Sequence, residues 1–294
     1  LLTLGVFAMR ALANLLGQLM PLEDVKVSAL DRGFLFGDAV YEVVRVFQGK
    51  PWLEEEHFQR LARSLEAIRI GGVDLVRLRR RVHETIEAGQ FREATLYLQI
   101  TRGTSMPRRH AFPMQATPLE LIWVEDYDDT ATAAARRSGV GVITHPDLRW
   151  HRCGIKSTNL LANVLANQAA HEADCSEALL YLPDGTLTEA SHSSFFWVQD
   201  DAVWTTPSRD NILPGITRAL ILNLAKRANV TIRGGHLRRD DLSKIAELFL
   251  TGTTSEVLPV VRIDGKPGGR GDPGPVTRKL QEVYSQAVRE FLAG

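Results

Sequence analysis

The sequence predicts an α+β protein of two lobes, not a doubly wound parallel sheet. Its 294 residues exceed one typical domain and suit two lobes sharing a cleft. Hydrophobic residues at 44% and charged residues at 24% are ordinary globular values that allow sizeable cores. Strand and helix signals recur along the chain, yet no glycine-rich strand-to-helix fingerprint of a dinucleotide site accompanies them.

Taken in order, the first half opens with short alternating segments around Val25–Ser28. A β-rich run, Val40–Phe47, then meets the turn Gln48-Gly49-Lys50-Pro51 and reads as a hairpin. Phe58, Leu61, Leu65 and Ile68 make one helical face over Glu54 to Ala67, and a second helix is expected over Asp74–Ala88, followed by Gly89. Strands follow at Thr95–Thr101 and Leu119–Val124. From Glu125 to Ser138 the chain turns acidic and then Ala/Thr-rich, without clear periodicity. Residues 126–138 are therefore read as a linker between a smaller lobe, 9–125, and a larger one, 139–294. The second lobe is expected to hold a strand at Val140–Thr144, a polar loop with Lys156, and a helix from about Asn159 to Glu172. Strands at Ala178–Leu182, Phe195–Val198 and Val203–Thr205 are joined by Pro183-Asp184-Gly185 and Gln199-Asp200-Asp201 turns. A helix opens after Leu213-Pro214-Gly215, a strand at Leu248–Thr251 runs into Gly252-Thr253-Thr254-Ser255, and a helix covers roughly Thr277–Leu292.

Thirty-five basic residues balance 35 acidic ones. That balance argues against nucleic-acid or membrane-surface partners, which leave a basic bias. Cys153 and Cys175 are too few for a disulfide framework, and a reducing cytoplasm is the simplest reading. The apolar start is broken by Arg10 and lacks a basic leader, so neither a signal peptide nor a membrane span is expected. Met9 is read as the native start, with eight preceding residues as an extension. The histidines show no metal-ligand spacing and Ser193 lacks a nucleophile-elbow context, so neither a metal site nor a hydrolase triad is expected.

Lys156 lies between a strand and an apolar helix, in His151-Arg152-Cys153-Gly154-Ile155-Lys156-Ser157-Thr158-Asn159. A Schiff-base lysine must be fixed and partly desolvated, and Cys153 and Ile155 could wall it. On spacing alone, a surface lysine before a helix start is the simpler account. Glu189, after the turn, could hold a pyridine nitrogen protonated, or could simply be solvated. Gly215-Ile216-Thr217 and Gly252-Thr253-Thr254-Ser255 offer backbone N–H groups for phosphate, although capping and turn formation explain either one singly. Arg108 and His110 in a Pro/Gly loop suit a carboxylate, or form an exposed basic loop.

Together these pieces resemble the class IV (fold type IV) pyridoxal-phosphate aminotransferases from about Gln18 to the C-terminus. The segments that carry the resemblance are DRGFLFGDAVYEVVRV (31–46), EEHFQRLARSLEAI (55–68), RCGIKSTNLLANVLA (152–166), TEASHSSFFWV (188–198), LPGITR (213–218) and TGTTSEVLPV (251–260). The resemblance implies a two-domain α+β fold with pyridoxal 5'-phosphate in the interdomain cleft and a larger C-terminal cofactor-binding domain. It makes Lys156 the imine-forming lysine and proton shuttle, and Glu189 the partner of the pyridinium nitrogen. Arg60, Gly215, Ile216, Thr217, Thr253 and Thr254 fall at the phosphate, and Leu213 beside the ring. Within the family the D-amino acid aminotransferases are the nearest likeness, because Tyr41, Arg108 and His110 match their trap for the substrate α-carboxylate. The resemblance further implies a homodimer in which the Arg108 loop serves the partner's site. D-amino acid and 2-oxo acid substrates follow. The sequence departs from that pattern at Met106 (an extra residue that brings in Arg109 as a rival to Arg108), His192, Ser194 and Ala39. Branched-chain aminotransferase, aminodeoxychorismate lyase and a non-enzymatic oligomeric binding module are the competing readings.

Overall fold

The computed structural model describes residues 10–200, 202–208 and 211–294. The expected start at Met9 lies outside them. The chain divides into two compact units: the first runs to Asp128 and takes in Lys156–Thr158, and the second comprises Asp129–Ile155 and Asn159–Gly294.

The first unit holds strands β1 (Ala11–Leu15), β2 (Gln18–Pro21), β3 (Ala39–Phe47), β4 (Lys50–Pro51), β5 (Ala94–Thr101) and β6 (Leu119–Asp126), with helices α1 (Arg32–Phe36), α2 (Glu54–Ala67) and α3 (Leu75–Ala88). The strands form one antiparallel sheet in the order β2-β1-β6-β5-β3-β4. The β3–β4 hairpin turns at Gln48 and Gly49, both at positive φ as a tight two-residue turn requires. Helix α3 begins where Asp74 accepts the N–H groups of Val76 and Arg77 at 3.0 Å. Val40, Val44, Leu96, Leu98 and Ile100 line one sheet face, and α2 and α3 cover the sheet with Phe58, Leu61, Leu65, Leu78 and Val82.

One expectation fails here. Val25–Ser28 is no strand: Val25 N–H returns to the Leu22 carbonyl at 3.2 Å, closing a 3₁₀ turn (Leu22–Asp24), and no described strand pairs with it. Residues 11–21, with no strand signal in the sequence, fold into the edge hairpin β1–β2, which turns at Leu16 and Gly17.

The second unit holds α4 (Thr130–Ser138), β7 (Val140–Pro146), α5 (Leu161–Glu172), β8 (Glu177–Tyr181), β9 (Leu187–Ala190), β10 (Ser194–Gln199), β11 (Ala202–Thr205), α6 (Ile216–Arg227), β12 (Ile232–Gly234), β13 (Glu247–Gly252), β14 (Glu256–Ile263), β15 (Lys266–Pro267) and α7 (Pro275–Ala293). Its nine-stranded sheet runs β12-β11-β10-β13-β14-β7-β8-β9, with β15 on β14, and mixes parallel with antiparallel pairs. Residues 130–138, expected to be irregular, are helical. Helix α4 buries none of its residues, so no apolar stripe announces it.

Candidate active site

In the first unit the site is built on β3. Alternation along this strand sends Val40, Glu42 and Val44 to the face packed by α2, so a carboxylate enters an apolar layer. Glu42 is satisfied there. Arg60 donates Nε and Nη2 to its two oxygens at 2.8 and 2.7 Å, and His57 Nδ1 lies 2.7 Å away. Burial alone would raise the Glu42 carboxyl, but the Arg60 guanidinium and His57 hold it down at about 2. Burial keeps His57 neutral against the pull of Glu42. The bidentate pair fixes the plane of Arg60, a residue 4% exposed.

Tyr41, next along the strand, faces the opposite way. Lys156 Nζ lies 4.3 Å from the centre of its ring, and Tyr97 stacks on it at 5.6 Å. The lysine backbone is sewn to β3. Tyr41 N–H donates to the Lys156 carbonyl at 3.0 Å, Thr158 N–H to the Ala39 carbonyl at 3.2 Å, and Lys156 N–H to Ser64 Oγ at 3.3 Å. Lys156 is thus half-buried and fixed against a strand. The structure brings together Tyr41 and Lys156, while Arg108 and His110 both pack on the Phe36 ring, at 4.6 and 5.3 Å. Arg32 anchors their loop by donating to the carbonyls of Arg109 and His110 at 2.7 and 3.0 Å.

In the second unit Glu189, on β9, is 5% exposed and pairs with Arg149. Leu213 N–H donates to both its oxygens, at 3.2 and 3.1 Å. Arg149 is held in turn by Asp147 at 2.8 and 2.9 Å and by the Asn211 carbonyl at 3.1 Å, while Thr188 Oγ donates to Asp147 at 2.8 Å. Burial pushes the Glu189 carboxyl up to about 7, against Arg149 and the Leu213 N–H. A further cation beside Glu189 would pull it back down.

Helix α6 begins at Gly215, which supplies no side-chain cap, so Ile216 and Thr217 start a helix with open N–H donors. Arg218 pins this start by donating to Thr205 Oγ1, Ser208 Oγ and the Thr206 carbonyl at 3.2, 2.7 and 2.7 Å. Gly215 leaves room for a neighbour: a Cβ there would lie 2.7 Å from Ser194 Oγ and would force that side chain to move. A Cβ at Gly252 would lie 2.5 Å from Ser255 Oγ and 3.2 Å from Ser193 Oγ, so the Gly215 start and the Thr253–Thr254 turn both border the consecutive serines Ser193 and Ser194. Glu177 secures that meeting point, accepting from Ser193 Oγ at 2.6 Å and His192 N–H at 3.0 Å.

Sequence reasoning missed Glu42, His57, Asp147, Arg149 and Glu177. Glu42 was readable, because it alternates with Val40 and Val44 on the stripe that faces Arg60. Nothing in Asp147-Leu148-Arg149 marks those residues out.

Residues 39–263 match the family described as amino-transferase class IV. The D-alanine aminotransferase of Bacillus licheniformis is 37% identical over 284 residues, covering 95% of this chain and 97% of that protein. The chain belongs to the class IV aminotransferases. It is a pyridoxal-phosphate-dependent transaminase with the fold type IV α+β architecture. The D-alanine aminotransferase of Listeria monocytogenes is 36% identical, with 95% and 96% coverage. Among solved structures, the branched-chain amino acid aminotransferase of Escherichia coli superposes with a TM-score of 0.85 at 25% identity, covering 93% of each chain. A second branched-chain amino acid aminotransferase, solved with pyridoxamine 5'-phosphate, also gives 0.85, at 27% identity and 95% and 94% coverage. No helix among the described residues is long and apolar enough to cross a membrane.

The donor set suits the cofactor. Each unit carries groups of the right chemistry: the first a lysine fixed at a strand, the second a deeply buried carboxylate and a helix start without a side-chain cap.

Proposed function

We propose that this transaminase moves the amino group of a D-amino acid, of the D-alanine or D-glutamate type, to a 2-oxo acid such as 2-oxoglutarate or pyruvate. The observation that carries the reading is Lys156 Nζ over the Tyr41 ring, on a segment hydrogen-bonded to β3. When bound, pyridoxal phosphate supplies the electron sink that makes the substrate α-proton acidic. Lys156 would be its covalent anchor and, once displaced from it by the substrate amine, would take this proton as a free amine and return it as an acid. Seating on β3 spares the amine a search for the reacting carbon. Glu189 would hold the ring nitrogen protonated, with Arg149 and the Leu213 N–H keeping its carboxylate in place, and Leu213 would wall the ring. Arg60, Gly215, Ile216, Thr217, Thr253 and Thr254 take the phosphate.

Tyr41 binds the substrate α-carboxylate together with Arg108 and His110. Burial raises the Tyr41 phenol, so it remains a hydrogen-bond donor at neutral pH. Arg108 and His110 act in the site of a second copy, which makes the enzyme a homodimer. Supporting this, α5 exposes Leu161, Val164 and Leu165, 71%, 57% and 59% accessible, at the spacing of one helical stripe. Both cysteines are free thiols, in keeping with a cytoplasmic location.

The likeness to branched-chain enzymes favours a second reading, L-leucine transamination, but fold similarity is common to both subfamilies. D-alanine and L-leucine, each assayed with 2-oxoglutarate, separate them. Faster D-alanine turnover is expected. Faster L-leucine turnover gives the branched-chain activity, and pyruvate release from aminodeoxychorismate without an oxo-acid acceptor gives the lyase.

A further inference from the structure

The hairpin turn between β13 and β14 carries Thr253 and Thr254, and one arginine from a different element holds it. Gly252 pairs with Glu256 across the turn, leaving Thr253, Thr254 and Ser255 as a three-residue loop. Such loops place a left-handed residue at their end, usually glycine. Here that residue is Glu256, at φ 57°. Arg136, in the last turn of α4, reaches this strained point. Its Nη1 donates to the Thr254 carbonyl at 3.3 Å, its Nε lies 3.5 Å from the Glu256 carboxylate, and its Nη2 pairs with Asp129. Gln281 of α7 ties the clamp down, since its amide donates at 2.9 Å to the carbonyls of both Arg136 and Val257.

We infer that Arg136 is a positioning residue for cofactor phosphate, acting through the Thr254 carbonyl. The inference rests on the assignment of Thr253 and Thr254 to the phosphate. In a planar trans peptide the C=O and the following N–H point in opposite directions. Arg136 therefore fixes the Ser255 N–H on the side of the peptide away from its guanidinium, and orients the turn before any ligand arrives. No sequence signal marks this arginine, because α4 has no apolar periodicity and Arg136 is far from every phosphate motif. Arg136 also lines a cleft of about 220 Å³ with Arg278, Gln281 and Tyr284, so water can replace a truncated side chain and folding should survive.

The test compares binding of pyridoxal phosphate and of phosphate-free pyridoxal to the full-length apoprotein, followed by absorbance and by quenching of tryptophan fluorescence. Arg136→Ala should weaken pyridoxal phosphate by about tenfold, the scale of one hydrogen bond from a charged donor, and leave pyridoxal unchanged. Arg136→Lys should recover part of the loss. Glu256→Gly, which suits the left-handed position and keeps the contact to Thr254, should bind both ligands as the parent does. Should Arg136→Ala fail to fold, Arg136→Met keeps the stem, removes the guanidinium and carries the same expectation. Equal weakening of both ligands, or no weakening of either, overturns the clamp. Thr254→Ala and Gly215→Ala check the underlying assignment. If neither lowers the preference for the phosphorylated ligand, the phosphate site itself is wrongly assigned; if both do and Arg136→Ala does not, only the clamp fails.

Discussion

Glu189 and Lys156 are held in place in different ways, one by side-chain partners and the other by its backbone. Glu189 is buried, so it needs donors on every side, and Arg149 and the Leu213 N–H provide them. Glu189→Gln keeps the shape of that group and removes its charge. Arg149 stays paired with Asp147, so the fold should hold. Protonation of the ring nitrogen should weaken, lowering kcat for D-alanine by at least about tenfold while KM changes little. A rise in KM alone, with kcat intact, would remove the electron-sink role from Glu189. Lys156 is exposed enough to react and is fixed by its backbone. Purified enzyme should be yellow, and Lys156→Ala should lose both transamination and the covalently held chromophore; a retained visible spectrum with turnover would refute the assignment. Both residues were visible in the sequence only through their neighbours, IKSTN and TEASHSS. Their supports were not visible, because Arg149 meets Glu189 forty positions away, and spacing does not encode such a pairing.

At the scale of elements, α2 and β3 act as one unit through Glu42. Its carboxyl is held at about 2, below the ordinary 4.5, by Arg60 and His57 against burial. The folded value lies below the unfolded one, so ionised Glu42 stabilises the fold fully above the ordinary carboxylate range. That contribution disappears as pH falls toward 2, and amounts to about 3 kcal/mol. Urea unfolding measured from pH 5 to pH 2 should therefore show Glu42→Gln losing about 3 kcal/mol less than the parent over that interval. Equal losses would mean that the buried pair is not linked to folding. Elements with a clear apolar period were legible: β3, α2 and α3 appear within a residue or two of expectation. Elements lacking one were not. Helix α4 has no fully buried residue, and β1–β2 is an edge hairpin with three of the four β2 residues exposed. β14 went unread because its apolar run follows a turn that looked like a terminus to the strand before it.

At the scale of the molecule, the proposed carboxylate trap draws on two separate groups of residues. Tyr41 packs on Tyr97 and beside Lys156, whereas Arg108 and His110 pack on Phe36 in a loop fastened by Arg32. If that loop serves a second copy, the two halves of the trap can be broken on different chains. An arginine fork donates two charge-assisted hydrogen bonds, so its loss from a desolvated site costs about 2–4 kcal/mol of binding. At ~1.4 kcal/mol per decade, that is roughly 30- to 1000-fold in kcat/KM for D-alanine. Arg108→Ala and Arg109→Ala, made separately and assayed with D-alanine and D-glutamate, decide which arginine faces the substrate. Arg108 is expected, because it keeps the Arg-x-His spacing to His110. Arg109 contributes its backbone carbonyl to Arg32, and its replacement by alanine leaves that contact in place. Mixing Lys156→Ala chains with Arg108→Ala chains then tests the shared site. In a heterodimer one site receives an intact lysine and an intact Arg108, so activity should return toward one-quarter of the parent value, from half the dimers with one working site each, when subunits exchange at random. Confirmed exchange without recovery would confine the trap to a single chain. Full D-alanine activity in both single arginine variants would remove the loop from carboxylate binding altogether.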